Sequence, residues 1–166
     1  MLNASMLNIN QVLKISKSFK KGNSLNTKKL FYHLLKKNKN ETLAYFETAN
    51  YLNLLGDRVK AKEFYKKAIE LNKNYSNAHN KLGLLFRVDD KLDYAEKCFK
   101  DAIKSDAKNS DAYHNLGNIY KEKKKYSEAI KGYNSVIKLH KKFSLVRKKN
   151  IVKPVVSIAK LLECIY

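Results

Sequence analysis

The side chains best able to carry chemistry are four histidines, His33, His79, His114 and His140, and two cysteines, Cys98 and Cys164. A catalytic zinc needs three such ligands converging around a water, and a nucleophilic thiol needs a base beside it. None of the six is set at ligand spacing from another, and the histidines fall on different helical segments or their ends, so His79 reads as a packing residue. Two cysteines make neither a disulfide framework nor a closed four-ligand zinc site, which favours a reducing compartment such as the cytoplasm. Asp89, Asp90, Asp93 and Glu96 form the densest acidic group, but they lack the spacing and glycine of a calcium loop. They read as turn solvation and favourable charge at a helix start. Neither His-Glu-x-x-His nor a glycine-rich phosphate loop is present, and the chain has only 5 glycines. The expectation is a protein with no catalytic residues, no metal and no cofactor, hence not an enzyme.

What remains is recognition chemistry. The 166 residues suit one ordinary domain, and 44% apolar composition with 11 Tyr and 7 Phe argues against a fully disordered chain. Net charge is +20, unevenly spread. Residues 1–40 hold nine lysines and no acid, residues 41–120 hold 13 bases against 12 acids, and residues 121–153 hold 12 bases against two acids. Two basic ends around a near-neutral middle attract an acidic protein, an anionic lipid surface or nucleic acid, and charge alone does not choose among them. No run of 18 apolar residues exists, so no transmembrane segment is expected.

The elements that must position any recognition surface come from a repeat. Residues 42–75, 76–109 and 110–143 align as three blocks of 34 without insertion. Small residues coincide at Ala49, Gly83 and Gly117, at Ala61, Ala95 and Ala129, and at Ala68, Ala102 and Val136. Large ones coincide at Leu52, Phe86 and Tyr120 and at Tyr65, Phe99 and Tyr133. Each block reads as two amphipathic helices, 43–55 and 59–71 in the first, with Gly56-Asp57 as the turn. Asp89-Asp90-Lys91 and Lys123-Lys124-Lys125 occupy the same turn in the later blocks. Helices of about a dozen residues are marginal alone, so the small residues must let neighbours approach while the rings fill the gaps.

This pattern resembles the tetratricopeptide repeat (TPR). The third block, with Tyr113, Leu116-Gly117, Tyr120 and Tyr126-Ser127-Glu128-Ala129-Ile130, is the best match. The second block has His79 in the aromatic column, the first has Thr48-Ala49 for Leu-Gly, and Lys73, Ala107 and Lys141 stand where family members often carry proline. The resemblance implies an all-α, right-handed α-solenoid of antiparallel helix pairs acting as a protein–protein interaction scaffold.

The blocks define the expected domain organisation: a tail over 1–7, a degenerate helix pair over 8–41, three TPR-like repeats, and a C-terminal helix over 144–166. In the degenerate pair Gly22 falls on the turn, Phe31 and Leu34 fall on second-helix columns, and Thr27 replaces the close-packing alanine. A competing reading makes residues 1–21, acid-free and amphipathic, an organelle-targeting segment, against which stands the lack of arginine. Pro154 opens an apolar run from Val155 to Ile165 that caps the array or, in the alternative, mediates self-association.

In such a solenoid the first helices line a concave face. The candidate partner-binding residues are Leu43, Phe46, Asn50 and Asn53 in the first block; Asn77, Asn80, Lys81, Leu84 and Arg87 in the second; and Asp111, His114, Asn115, Asn118 and Lys121 in the third. Amides and cations there can bond the backbone and carboxylates of a peptide or helix, acidic ones included, while Phe46 and Leu84 offer apolar contact. The family's carboxylate clamp for chaperone tails does not carry over: Asn50 matches one asparagine, but Phe46, Lys81, Asp111 and Asn115 depart from the other four positions. The alternative function is nucleic-acid binding or association with ribonucleoprotein through a basic surface of Lys123, Lys124, Lys125, Lys141, Lys142, Arg147, Lys148 and Lys149. It is the weaker reading, because Tyr133 and Tyr126 fall on core columns and leave little for bases to stack on.

Overall fold

The computed structural model describes residues 41–143. The N-terminal tail, nearly all of the degenerate pair, the targeting segment, the C-terminal helix and Arg147, Lys148 and Lys149 lie outside the described residues, and of Lys142 only the helical backbone is described. Among the described residues there are six helices and no strand: α1 (Thr42–Leu54), α2 (Arg58–Leu71), α3 (Ser76–Val88), α4 (Leu92–Ser105), α5 (Ser110–Glu122) and α6 (Tyr126–Phe143). The chain divides into two compact units, 1–78 and 79–166, with the division inside α3.

In the first unit α1 and α2 pack against one another. Ala61, Tyr65 and Ala68 lie at helical spacing and form the buried stripe of α2, while α1 contributes Phe46, Ala49 and Leu52. The Phe46 ring lies 5.8 Å from that of Tyr65 and meets Tyr75 edge-on at 5.1 Å. Asp57 caps α2, accepting a hydrogen bond from the Lys60 amide at 3.2 Å.

The second unit builds its core from the same columns one and two repeats later. Ala95 and Phe99 of α4 join Leu116 and Ile119 of α5, with Leu84, Phe86 and Tyr120 at the margin. Ala129 and Tyr133 of α6 continue it. The glycines show why the small columns are small. A Cβ on Gly83 would fall 2.7 Å from a Phe99 ring carbon, and one on Gly117 the same distance from the Tyr133 ring. Gly132 adds a close backbone approach: its Cβ would lie 3.2 Å from Gly117 Cα and 3.1 Å from the Tyr113 carbonyl oxygen.

Each first helix ends in the same device. The amides of Gly56, Asp90 and Lys124 donate to the carbonyls of Asn53, Arg87 and Lys121, and the following amides of Asp57, Lys91 and Lys125 donate to Leu52, Phe86 and Tyr120. This is the Schellman pattern, which requires a left-handed residue after the helix. Gly56 has φ +83°, Asp90 φ 57° and Lys124 φ 58°. Only glycine adopts this conformation without a steric cost, which an L residue meets at about 1–2 kcal/mol. Lys124→Gly is therefore expected to stabilise the fold by about 0.5–1 kcal/mol, after allowing for the greater freedom of glycine in the unfolded chain. Asp90→Gly gains less, because aspartate tolerates the left-handed region. Urea midpoints give this ordering; an unchanged or lower midpoint for Lys124→Gly contradicts the turn geometry.

Candidate functional site

The residues expected to face a partner take up unequal positions. On α1, Phe46 is only 7% exposed and acts as a core ring, whereas Leu43 is half-buried and Asn53 exposed. Asn50 is half-buried, and its Oδ1 accepts the Tyr65 hydroxyl hydrogen bond at 2.6 Å. A partner meeting α1 thus finds an asparagine already engaged by the core behind it. Asn77, at the start of α3, is exposed and belongs to the first unit.

In the second unit, side chains 35 residues apart join α3 to α5. Asn115 Nδ2 donates to Asn80 Oδ1 at 2.9 Å, and about two turns further along the Arg87 guanidinium meets Glu122, with Nε donating at 2.8 Å and the ion-pair contact at 2.6 Å. Asn80 is 6% exposed, so its amide is a fixed part of the contact. Around these two links Lys81 and Asp111 stand exposed, while Leu84, His114, Asn118 and Lys121 are half-buried. The His114 ring packs at a tilt against Tyr133, 5.5 Å between centroids. Asn118 Oδ1 accepts from the Tyr133 hydroxyl at 2.7 Å, repeating the Asn50–Tyr65 bond of the first unit. Burial lifts both phenols above the ordinary tyrosine value, so both stay protonated as donors.

In the middle block the same two columns hold Leu84 and Phe99. Amide and hydroxyl are present together in two repeats and absent together in the third, because a buried hydroxyl without an acceptor is costly. That pairing was open to sequence inspection as a match between two columns 15 residues apart, a signal that treating the asparagines as partner ligands passes over.

The basic candidates divide as well. Lys124, Lys125 and Lys141 are exposed. Lys123 is 17% exposed in its side chain, and its Nζ donates to Asp93 and Glu96 of α4, both at 2.5 Å. Its charge is paired with carboxylates of the protein itself. Glu96 also accepts from Lys100 at 2.7 Å. Burial acts to raise the Glu96 carboxyl, but the hydrogen bonds from Lys100 and Lys123 outweigh it and bring its pKa down to about 2. Tyr133 is fully buried, which removes it from any base-stacking role, and Tyr126 is half-buried beside Ala129. Among the described residues no group of three or more His, Cys, Asp or Glu is arranged to hold a metal ion, and no helix is long and apolar enough to cross a membrane.

Two outcomes follow. Asn118→Leu is expected to cost about 1–2 kcal/mol because it strands the hydroxyl of buried Tyr133, and Tyr133→Phe less, because half-buried Asn118 can turn to water, while the double variant, which reproduces the middle block, costs less than the sum of the two; additive losses in denaturant midpoints would contradict the coupling. A depressed carboxylate pKa stabilises the fold above the unfolded value, here 4.5, and that contribution is lost as pH falls toward about 2. The wild type is therefore expected to exceed Glu96→Gln by roughly 1 kcal/mol at neutral pH, with solvent screening allowed for, and the gap closes through that acid range. A gap independent of pH contradicts the clasp.

Two models described as tetratricopeptide repeat match the sequence, one over residues 42–75 and one over residues 98–131. A comparison with curated proteins returned no match. Among solved structures, MamA superposes with a TM-score of 0.73 at 22% identity, covering 82% of this chain and 81% of that one. PilF of Pseudomonas aeruginosa gives 0.82 at 17% identity, covering 96% and 69%. The first TPR of Spaghetti (RPAP3), bound to the HSP90 peptide SRMEEVD, gives 0.66 at 18% identity, covering 75% and 92%. At these identities the likeness is one of fold. The fold is an all-α, TPR-like solenoid, and the chain carries tetratricopeptide-repeat sequence over residues 42–75 and 98–131.

Proposed function

We propose that the chain is a protein-interaction scaffold whose first helices take up a peptide or helix from a protein partner, with the repeats running over 42–75, 76–109 and 110–143. The observation that carries this reading is the pair of side-chain links from α3 to α5, Asn80 with Asn115 and Arg87 with Glu122. They hold two first helices side by side and pre-order the polar groups between them, so that little conformational entropy is lost when a partner arrives. Lys81 and Asp111 offer charges of opposite sign, Val88 is 58% exposed, and half-buried Leu84 supplies apolar contact on the same helix. Peptide capture has a precedent in the TPR of Spaghetti bound to its HSP90 peptide. The carboxylate-clamp positions differ here, and Phe46 and Asn50 are already engaged within the first unit, so the peptide recognised is of another kind.

Photo-crosslinking tests this. With a crosslinking residue in place of Val88 or Asp111, a protein adduct is expected that survives nuclease and salt of about 0.5 M, which screens charge-only contacts but not a packed one. The adduct is expected to fall in Lys81→Ala/Leu84→Ala. Placement at Lys97 or Lys104, exposed on α4, is expected to give none. Adducts from α4 alone, or capture that disappears with nuclease, contradict the proposal.

A further inference from the structure

The three second helices differ in how their lysines are balanced. In repeat register, Asp93, Glu96 and Asp101 of α4 correspond to Ser127, Ile130 and Ser135 on α6. The lysines of α4 therefore share their helix with three carboxylates, two of which also hold Lys123. The sequence of α6 keeps one carboxylate, Glu128, beside Lys131, Lys138, Lys141 and Lys142, and Lys124 and Lys125 occupy the turn before it. Lys131, Asn134, Lys138 and Lys141 are all exposed, opposite the buried Ala129, Tyr133 and Val136. Residues seven apart on a helix stand one above the other, so this is a single stripe. From Lys131 to Lys141 it extends roughly 15 Å at 1.5 Å per residue.

From this geometry we infer that the outer face of α6 binds the phosphate backbone of a nucleic-acid duplex without reading its sequence. Charge complementarity decides the class of partner. Among the described residues of α6 no large apolar side chain is exposed, so the stripe offers neither the apolar centre of a packed protein interface nor an anchor for the acyl region of a membrane. Its buried Tyr133 cannot stack on an unpaired base. A duplex carries a charge about every 1.7 Å along its axis, so ammonium groups spread over the stripe find phosphates whatever the sequence. This site is separate from the first-helix face proposed above and takes a different ligand.

The test uses the full chain, a short duplex of random sequence, and fluorescence anisotropy between about 50 and 200 mM salt. Lys131→Gln/Lys138→Gln/Lys141→Gln is expected to lose about tenfold in affinity and to flatten the slope of log K against log salt by about 2.7, the value for three phosphate contacts. A control of equal net charge, Lys66→Gln/Lys91→Gln/Lys108→Gln, is expected to lose under about threefold, because it lowers only the general field. Thermal melts of both variants confirm that the fold is retained. Equal losses in the two variants overturn the inference by assigning binding to net charge. Absence of duplex binding overturns it as well, as does lysine-dependent binding to phosphatidylserine vesicles in its place.

Discussion

The structure depends on one contact: an aromatic ring on each second helix of the second unit lies so close over a first helix that the residue beneath it has no room for a side chain. Phe99 occupies this position over Gly83 and Tyr133 over Gly117. Because short helices gain little from their own hydrogen bonds, burying these rings against backbone is what makes each pair stable. Ala95 and Ala129, wholly buried one turn before each ring, keep the remaining approach close. In the first unit Ala49 stands where the glycines stand and Tyr65 keeps the ring, so the column accepts one methyl group when its surroundings allow it.

The polar groups are subordinate to that packing. The tyrosine ring brings a hydroxyl to the first-helix surface, and an asparagine 15 residues earlier accepts its hydrogen bond. Links 35 residues apart then connect α3 to α5, and Lys123 ties the turn between α5 and α6 back to α4. Exposed pairs such as Arg87 with Glu122 contribute little stability, about 0–1 kcal/mol, but they fix which groups remain on the face. What the packing leaves exposed is Lys81, Asp111 and Val88 on first helices and Lys131, Lys138 and Lys141 on α6.

Much of this was legible in the sequence because packing constraints repeat with the chain. A column holding only Ala, Gly and Gly states a close approach before any coordinates are known, and the buried alanines follow the same logic. The first two helices lie within about a residue of the expected 43–55 and 59–71. The surface was less legible, since helical spacing states which side of a helix a residue occupies but not what its neighbours have taken. Helical spacing nominates Phe46 for contact with a partner, yet its ring is absorbed by Tyr65 and Tyr75. Lys123 belongs to a lysine run, yet its ammonium is held by carboxylates 27 and 30 residues earlier. Gly132 has Cys98 and Phe64 in its column, so no period marked it as a point of backbone contact.

The central claim, that the ring above the glycine holds the helix pair, is tested most directly by a double-mutant cycle at Gly117 and Tyr133, followed by urea unfolding. With Tyr133 in place, Gly117→Ala is expected to destabilise by about 1–2 kcal/mol, overpacking outweighing the gain in helix propensity. In the Tyr133→Leu background the ring is gone and the propensity gain of about 0.5–1 kcal/mol remains, so the same substitution becomes neutral or stabilising. An identical effect of Gly117→Ala in both backgrounds would contradict the account.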